Sequence, residues 1–273
     1  MPSLPPDNHQ VGILYLAGGQ GTRLGFNGPK GCVKLPLKEE KTLFQIHLEK
    51  IKEADSVIAI MTSPLNHEQT RLYLEGEHYF GFKNVSLFQQ GMENGYPDGN
   101  GKAFAYFGDA GLWDVWEKKG IKWVQVIPID NPLATPFDPE LLAENRSVEL
   151  VLRGVKRLDK SEKMGVIFQG DHLEIKEYTE VTEPRQDLLG NTGLFSCTMN
   201  FARRSKTIPL SSHIVRKKMN GEWIEKKEYF IFDLFPYACS YKVIESDRKK
   251  CFAPLKNASG PDSLETVARA LMT

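Results

Sequence analysis

The first half of the chain is organised by four short, almost unbroken apolar runs, at residues 11–16, 56–61, 85–88 and 123–127. Runs of this length predict strands: those at 11–16, 56–61 and 123–127 read as buried, the one at 56–61 on both faces, and the one at 85–88 as a short strand. Between them the spacing turns helical. Thr42-Leu43-Phe44-Gln45 has the form of a capping box, and Phe44, Leu48 and Ile51 follow on one face. Residues 66–75 and 103–119 read as further helices, the second ending at Gly120. This alternation predicts an α/β fold with a mixed, mostly parallel sheet flanked by helices. The second half is richer in strands, at 148–155, 164–168, 173–178 and 194–200, and a helix over about 263–271 closes it. No linker, repeat or low-complexity stretch interrupts the pattern. A single domain over 1–273 is expected, with halves of about 11–145 and 146–273.

Composition narrows the class. At 273 residues the chain is long enough for a sizeable core. Its 35 basic and 35 acidic residues balance, so no global field attracts nucleic acid or an anionic membrane. The four cysteines lie far apart and the six histidines form no H-E-x-x-H, which predicts neither a disulfide framework nor a zinc site and suits a reducing cytoplasm. Residues 1–10 are polar and proline-containing, unlike a signal peptide. No apolar run is long enough to span a bilayer. A soluble cytoplasmic protein is expected.

Candidate chemistry begins where the first strand ends. Leu16-Ala17-Gly18-Gly19-Gln20-Gly21-Thr22-Arg23-Leu24-Gly25, followed by Pro29-Lys30, is a glycine-rich loop with cationic side chains. Glycines let the backbone approach a phosphate and point N–H groups at it, and Arg23 and Lys30 supply charge. The spacing excludes two common motifs. The third glycine of G-x-G-x-x-G would fall on Leu24, and Lys30 is followed by Gly31 rather than by Ser or Thr.

Three further groups stand out. Gln89-Gln90-Gly91 and Pro97-Asp98-Gly99-Asn100-Gly101 present amides among glycines, an arrangement suited to a flat nucleobase or to a plain turn. Asp130 follows the buried strand at 123–127, where a carboxylate can hold Mg²⁺ against triphosphate oxygens or cap a turn. Lys226 and Lys256 could each reach a phosphate. Lys226 lies in a basic stretch that reads as solvated, whereas Lys256 sits among apolar residues. Alternating Phe230 and Phe232 suit a half-buried strand and read as core.

Taken in order, these segments resemble the UDP-N-acetylhexosamine pyrophosphorylase family. Further matches are Lys41-Thr42-Leu43-Phe44-Gln45-Ile46, Ile60-Met61-Thr62-Ser63, Met164-Gly165-Val166, Glu177-Tyr178 and Asn191-Thr192-Gly193. Two more are the stretch from Lys226 to Asp233 and Phe252-Ala253-Pro254-Leu255-Lys256-Asn257-Ala258. The resemblance runs from Val11 to Met272. It implies a Rossmann-like nucleotidyltransferase core related to GT-A glycosyltransferases. It also implies transfer of uridylyl from UTP to a sugar 1-phosphate, with Mg²⁺ or Mn²⁺ as cofactor.

By the same resemblance, Arg23, Lys30, Lys226 and Lys256 serve the phosphates and Asp130 the metal. Leu16, Ala17, Gly18, Gly19, Gly21, Gln90, Gly99 and Asn100 bind the nucleotide, and Gly165, Glu177, Asn191 and Phe230 the sugar. The chain is shorter than typical members, as expected of a minimal catalytic core. Around Asn191 it departs from the family pattern: Leu189-Gly190 replaces an aromatic and Leu194 a second asparagine. N-acetylglucosamine 1-phosphate is the first expectation for the sugar, because Ala17 stands where UDP-glucose enzymes tend to carry asparagine, and glucose 1-phosphate is the alternative. Two rival readings are a GT-A glycosyltransferase, which its Asp-x-Asp motif would mark and Asp130-Asn131-Pro132 lacks, and a non-catalytic nucleotide-sugar binding protein.

Overall fold

The computed structural model describes residues 7–181, 187–219 and 222–272. The chain begins with β1 (Val11–Leu16), α1 (Leu43–Leu48), β2 (Val57–Thr62), α2 (His67–Gly76) and β3 (Asn84–Gln89). Then come α3 (Ala103–Asp109), α4 (Leu112–Lys118), β4 (Trp123–Pro128), α5 (Pro139–Glu144) and β5 (Leu150–Lys156). After β6 (Val166–Gln169), β7 (Leu173–Lys176), β8 (Leu189–Thr198) and α6 (Met199–Ser205), β9 (His213–Met219) and β10 (Glu222–Glu228) form a hairpin. A 3-10 helix at Ile231–Tyr237, β11 (Tyr241–Ser246) and α7 (Leu264–Leu271) complete it.

Nine strands make one sheet in the order β7-β6-β8-β4-β1-β2-β3, with β5 also on β8 and β11 on β5. Following the pairings, β7 and β8 run against the other seven. The mixed, mostly parallel sheet is therefore as expected. The apolar runs divide between its faces. Leu14 and Leu16, with Val57, Ala59 and Met61, join Phe107, Trp113 and Trp116 on one side. Val11, Ile13 and Tyr15, with Ile58 and Ile60, join Phe44 and Leu43 on the other. Burial on both sides is what removes the polar alternation from these strands. On the first face Trp116 lies over Gly12, where a Cβ would meet the indole ring.

Several boundaries differ from the sequence expectation, each for a local reason. The helix expected over 103–119 is two, split at Gly111, whose φ of +71° breaks the α ladder. Thr42 caps α1 by accepting from the Gln45 N–H, but the Gln45 amide turns outward to Glu49, so the capping box is half formed. The strand expected over 173–178 stops at Lys176, and Glu177 begins a turn closed by the Glu180 N–H on the Glu177 carbonyl (2.8 Å). Phe230 and Phe232 lie on no strand. Phe230 precedes the 3-10 helix, and the two rings stack at 5.0 Å, half buried, while Ile231 between them fills the core.

Candidate functional site

The sheet's register makes the site. Leu16 and Pro128 are paired neighbours at the carboxyl ends of β1 and β4, so the loops that follow must meet, as ligand-binding loops of open α/β sheets do. The loop after β1 folds back on itself: Gly21 N–H bonds the Gly28 carbonyl (2.9 Å) and Lys30 N–H the Gly19 carbonyl (3.0 Å). Buried Asn66, just before α2, fastens it by donating from Nδ2 to the carbonyls of Ala17 (3.0 Å) and Gly19 (3.1 Å). Gly18 lies against buried Gln90, and a Cβ there would run into the Gln90 amide oxygen. Arg23, on the outer turn Thr22–Leu24, is exposed and makes no ion pair among the described residues.

Lys30 returns beneath this loop. Its ammonium, on a side chain only 11% exposed, donates to Asp130 Oδ2 (3.1 Å) and to the Leu255 carbonyl (3.3 Å). The Leu255 N–H in turn bonds the Asp130 carbonyl (2.7 Å). Asn131 adds two more ties, Nδ2 to the Cys251 carbonyl (2.8 Å) and Oδ1 from the Ala253 N–H (3.0 Å). From the other side α1 grips the same loop. His47 Nε2 bonds the Ile129 carbonyl (3.0 Å), and the Lys50 ammonium bonds the carbonyls of Pro132 and Ala134. Burial holds both cationic forms in check, with the His47 imidazole pushed down to about 3 and the Lys50 ammonium to about 8. Lys256 follows Leu255. Its ammonium is 4.0 Å from Asp262 and 5.8 Å from the Phe252 ring centre.

The glycine loop at 91–101 packs on the 226–231 segment. Gly99, at φ +89°, bridges to Tyr229, whose backbone leaves no room for a Cβ, so this position requires glycine. Asn100 Oδ1 accepts from the Ile231 N–H (3.0 Å). Lys226 is not solvated as its basic surroundings suggested. Its side chain is 9% exposed, paired with Glu228 and donating to the Pro97 carbonyl (3.4 Å).

Among the residues expected at the sugar, Gly165 and Asn191 are adjacent through Asn191 N–H to Gly165 O (2.8 Å). Asn191 Oδ1 holds the Gly193 N–H (2.9 Å), and Gly193 abuts Pro128 at the end of β4. Glu177 is pushed above the usual carboxylate range by burial and by Glu180, and Lys256 and His213 oppose the shift. The His213 ring lies 4.6 Å from that of Phe230. The structure thus pairs Lys30 with Asp130 directly, brings the segment of Lys256 to them through the Leu255 backbone, places Glu177 within the field of Lys256, and links Gln90 to the glycine loop. Arg23 stays apart on its outer turn.

Sequence reasoning missed Asn66 and His213. Asn66 carried a signal, a helix N-cap residue just after a buried strand. His213 lies in a charged strand without apolar periodicity and carried none. Beside it, a cavity of about 310 Å³ is lined in part by Ile175, Leu210, Phe232, Asp233 and Tyr237.

A mostly parallel sheet with a glycine-rich loop after its first strand and a lysine–carboxylate pair across two strand ends defines an open-sheet α/β protein of the class that places ligands at its strand ends. The family model described as UTP–glucose-1-phosphate uridylyltransferase matches residues 7–94 and 89–229, and the chain belongs to this family. It is similar to UDP-N-acetylglucosamine diphosphorylases 2 and 1 of Arabidopsis thaliana, at 33% and 32% identity over 92% of this chain. The chain spans 62% and 61% of the length of these two relatives. A solved Entamoeba histolytica structure assigned as a UDP-N-acetylglucosamine pyrophosphorylase superposes with a TM-score of 0.87 at 27% identity, covering 97% of this chain and 81% of that one. The nucleotidyltransferase fold implied by the motifs is therefore the fold observed.

Proposed function

We propose that the chain transfers uridylyl from UTP to a sugar 1-phosphate, releasing pyrophosphate, with N-acetylglucosamine 1-phosphate as acceptor. The observation that carries this is the junction of Lys30, Asp130 and the Leu255–Lys256 segment under the glycine loop. The names of the relatives favour the N-acetylglucosamine sugar within a family described by glucose.

In this reading the sugar phosphate oxygen attacks the α-phosphorus of UTP in line and the pyrophosphate oxygen departs. Positioning and charge neutralisation supply the catalysis. The backbone from Leu16 through Ala17, Gly18 and Gly19 to Gly21 approaches the phosphates. Arg23, without an ion pair among the described residues, folds onto the triphosphate, and Lys30 meets the developing charge. Lys256 serves the sugar phosphate. Lys226 is already balanced by Glu228, so it adds hydrogen bonds rather than net charge. Gln90, Gly99 and the Asn100 amide nitrogen read uracil, the Asn100 oxygen being engaged by Ile231. Gly165, Glu177, Asn191 and Phe230 hold the sugar.

Magnesium, implied by the resemblance, fits Asp130 as a shared ligand. That carboxylate is 26% exposed, with only Oδ2 committed to Lys30. No cluster of three or more His, Cys, Asp or Glu able to hold a metal occurs among the described residues. The ion would take Asp130 together with phosphate oxygens and would neutralise triphosphate charge. No described helix is long and apolar enough to cross a membrane. All four cysteines are free, which supports a cytoplasmic setting.

The test is pyrophosphate release from purified protein with UTP and Mg²⁺, comparing N-acetylglucosamine 1-phosphate with glucose 1-phosphate. Preference for the first supports the reading. Preference for glucose 1-phosphate keeps the chemistry and moves the sugar assignment. UTP binding without release from either acceptor refutes catalysis and favours a nucleotide-binding role.

A further inference from the structure

The His213 imidazole sits where two parts of the sugar subsite meet. Nε2 is 2.8 Å from Asp233 Oδ2, and Nδ1 is 3.7 Å from Glu180 Oε1. The ring lies against Phe230, which stacks on Phe232. Glu180 is not a passive neighbour: its other oxygen accepts the Glu177 N–H (3.2 Å), and its own N–H bonds the Glu177 carbonyl. His213 therefore touches both the carboxylate that shapes the Glu177 turn and the segment that carries Phe230. Among the described residues, the other charges nearby have partners of their own. Glu228, opposite His213 in the β9–β10 register, is paired with Lys226. Glu174 and Lys176, across the cavity, pair with each other, and Lys256 acts on Glu177 from the far side.

We propose that His213 is a positioning residue for the sugar subsite, clamping the Glu177 turn to the Phe230 segment when both its ring nitrogens carry protons. This rests on the sugar-binding reading of Glu177 and Phe230 given above. A neutral imidazole has a single N–H. Once that proton serves Asp233, Nδ1 presents a lone pair to the Glu180 carboxylate, and the clamp loses one arm. The imidazolium donates to both carboxylates. Affinity for the sugar portion of the ligand should therefore be greater in mildly acid solution and fall as pH rises, whereas affinity for the uridine diphosphate portion should not follow His213.

The experiment is calorimetric titration with UDP-N-acetylglucosamine and with UDP, at about pH 5.5 and about pH 8, for wild type, His213→Gln and Glu180→Gln. Ionisation of the terminal phosphate of UDP, which the sugar nucleotide lacks, moves the ratio of the two dissociation constants with pH in all three proteins alike, so the excess movement of the wild type over the variants isolates His213. Between the two pH values the wild-type ratio should move toward the sugar nucleotide at the lower pH by about fivefold more than either variant's does, the small end of ordinary coupling between groups. Both variants should keep only the movement that UDP ionisation imposes. A wild-type ratio that moves no more than the His213→Gln ratio overturns the proposal. UDP binding without any wild-type affinity for UDP-N-acetylglucosamine would instead overturn the sugar-subsite reading beneath it.

Discussion

Replacing Lys30 by methionine separates what this ammonium does for the fold from what it does for the reaction. Methionine keeps the stem's apolar packing and removes the charge. In the folded protein Asp130 then loses its cation, and the Leu255 carbonyl loses a donor. Removing one partner of a fully buried pair costs about 3–5 kcal/mol. With the lysine 11% and the aspartate 26% exposed, water can reach Asp130, and a loss of about 2–3 kcal/mol is expected. For a protein of this size that corresponds to a fall in melting temperature of roughly 5–10 °C. Loss of one transition-state donor should lower kcat by about 10²–10³.

The two effects part in the double variant Lys30→Met/Asp130→Asn. Without a stranded carboxylate, much of the stability should return, measured by urea unfolding as a double-mutant cycle. Turnover, followed by pyrophosphate release, should not return. A Lys30→Met enzyme within a few-fold of wild-type kcat would refute the catalytic assignment. Recovery of turnover along with stability in the double variant would show that Lys30 serves only to hold Asp130.

Arg23→Ala should leave unfolding within about 0.5 kcal/mol of wild type, because an exposed side chain without an ion pair is removed, while kcat falls steeply; near-normal turnover would exclude Arg23 from the triphosphate. Gly18→Ala should weaken UTP binding and destabilise by about 1–3 kcal/mol through overpacking against Gln90, readable by calorimetry and urea unfolding. Lys50 gives a pH prediction: its folded-state value of about 8 lies below the unfolded 10.5, so the unfolded chain binds the proton more tightly. Stability should therefore rise as pH climbs from about 8 to about 10.5, and Lys50→Met should flatten that rise in unfolding midpoints.

Legibility differed between the two halves for a physical reason. Strands covered on both faces must be apolar throughout, so β1, β2 and β4 announce themselves, whereas β3, an edge strand mostly half buried, shows itself only through Val85, Leu87 and Phe88; the loop after β1 is read from its glycines. The β9–β10 hairpin pairs off the main sheet, and the side chains it is seen to bury, Lys226 and Glu228, are charged, so they leave no apolar period in its sequence. β11 was missed as well: it is an edge strand with only Ile244 buried. Site residues belonging to the glycine loop were legible one by one, but their partners were not. Nothing local in Lys30 tells that its ammonium ends on a carboxylate one hundred positions away, or that Lys226 turns inward to Pro97. Those facts follow from sheet order, which single segments do not encode.

Sheet order also explains why the 251–256 segment lies beside the end of β4, where the proposed reading needs it. It carries no strand of the sheet, so something must hold it over the end of β4. Asn131, 1% exposed, does so by satisfying one carbonyl and one N–H of that segment, at Cys251 and Ala253. Asn131→Ala strands one buried carbonyl and one part-buried N–H; a buried group costs about 1–3 kcal/mol and a part-buried one less, so a net loss of about 2–4 kcal/mol follows. Lys256 is three residues beyond Ala253, so its ammonium should lose its aim, raising KM for the sugar phosphate well above the change for UTP. Asn131→Asp retains the acceptor for the Ala253 N–H and turns the donor into a second acceptor facing the Cys251 carbonyl, so it should disturb the same segment with less loss of packing. Equal changes in both KM values, or a sugar-phosphate KM left unmoved while stability falls, would show that Lys256 is placed by its contacts with Phe252 and Asp262 and not by the loop that follows β4.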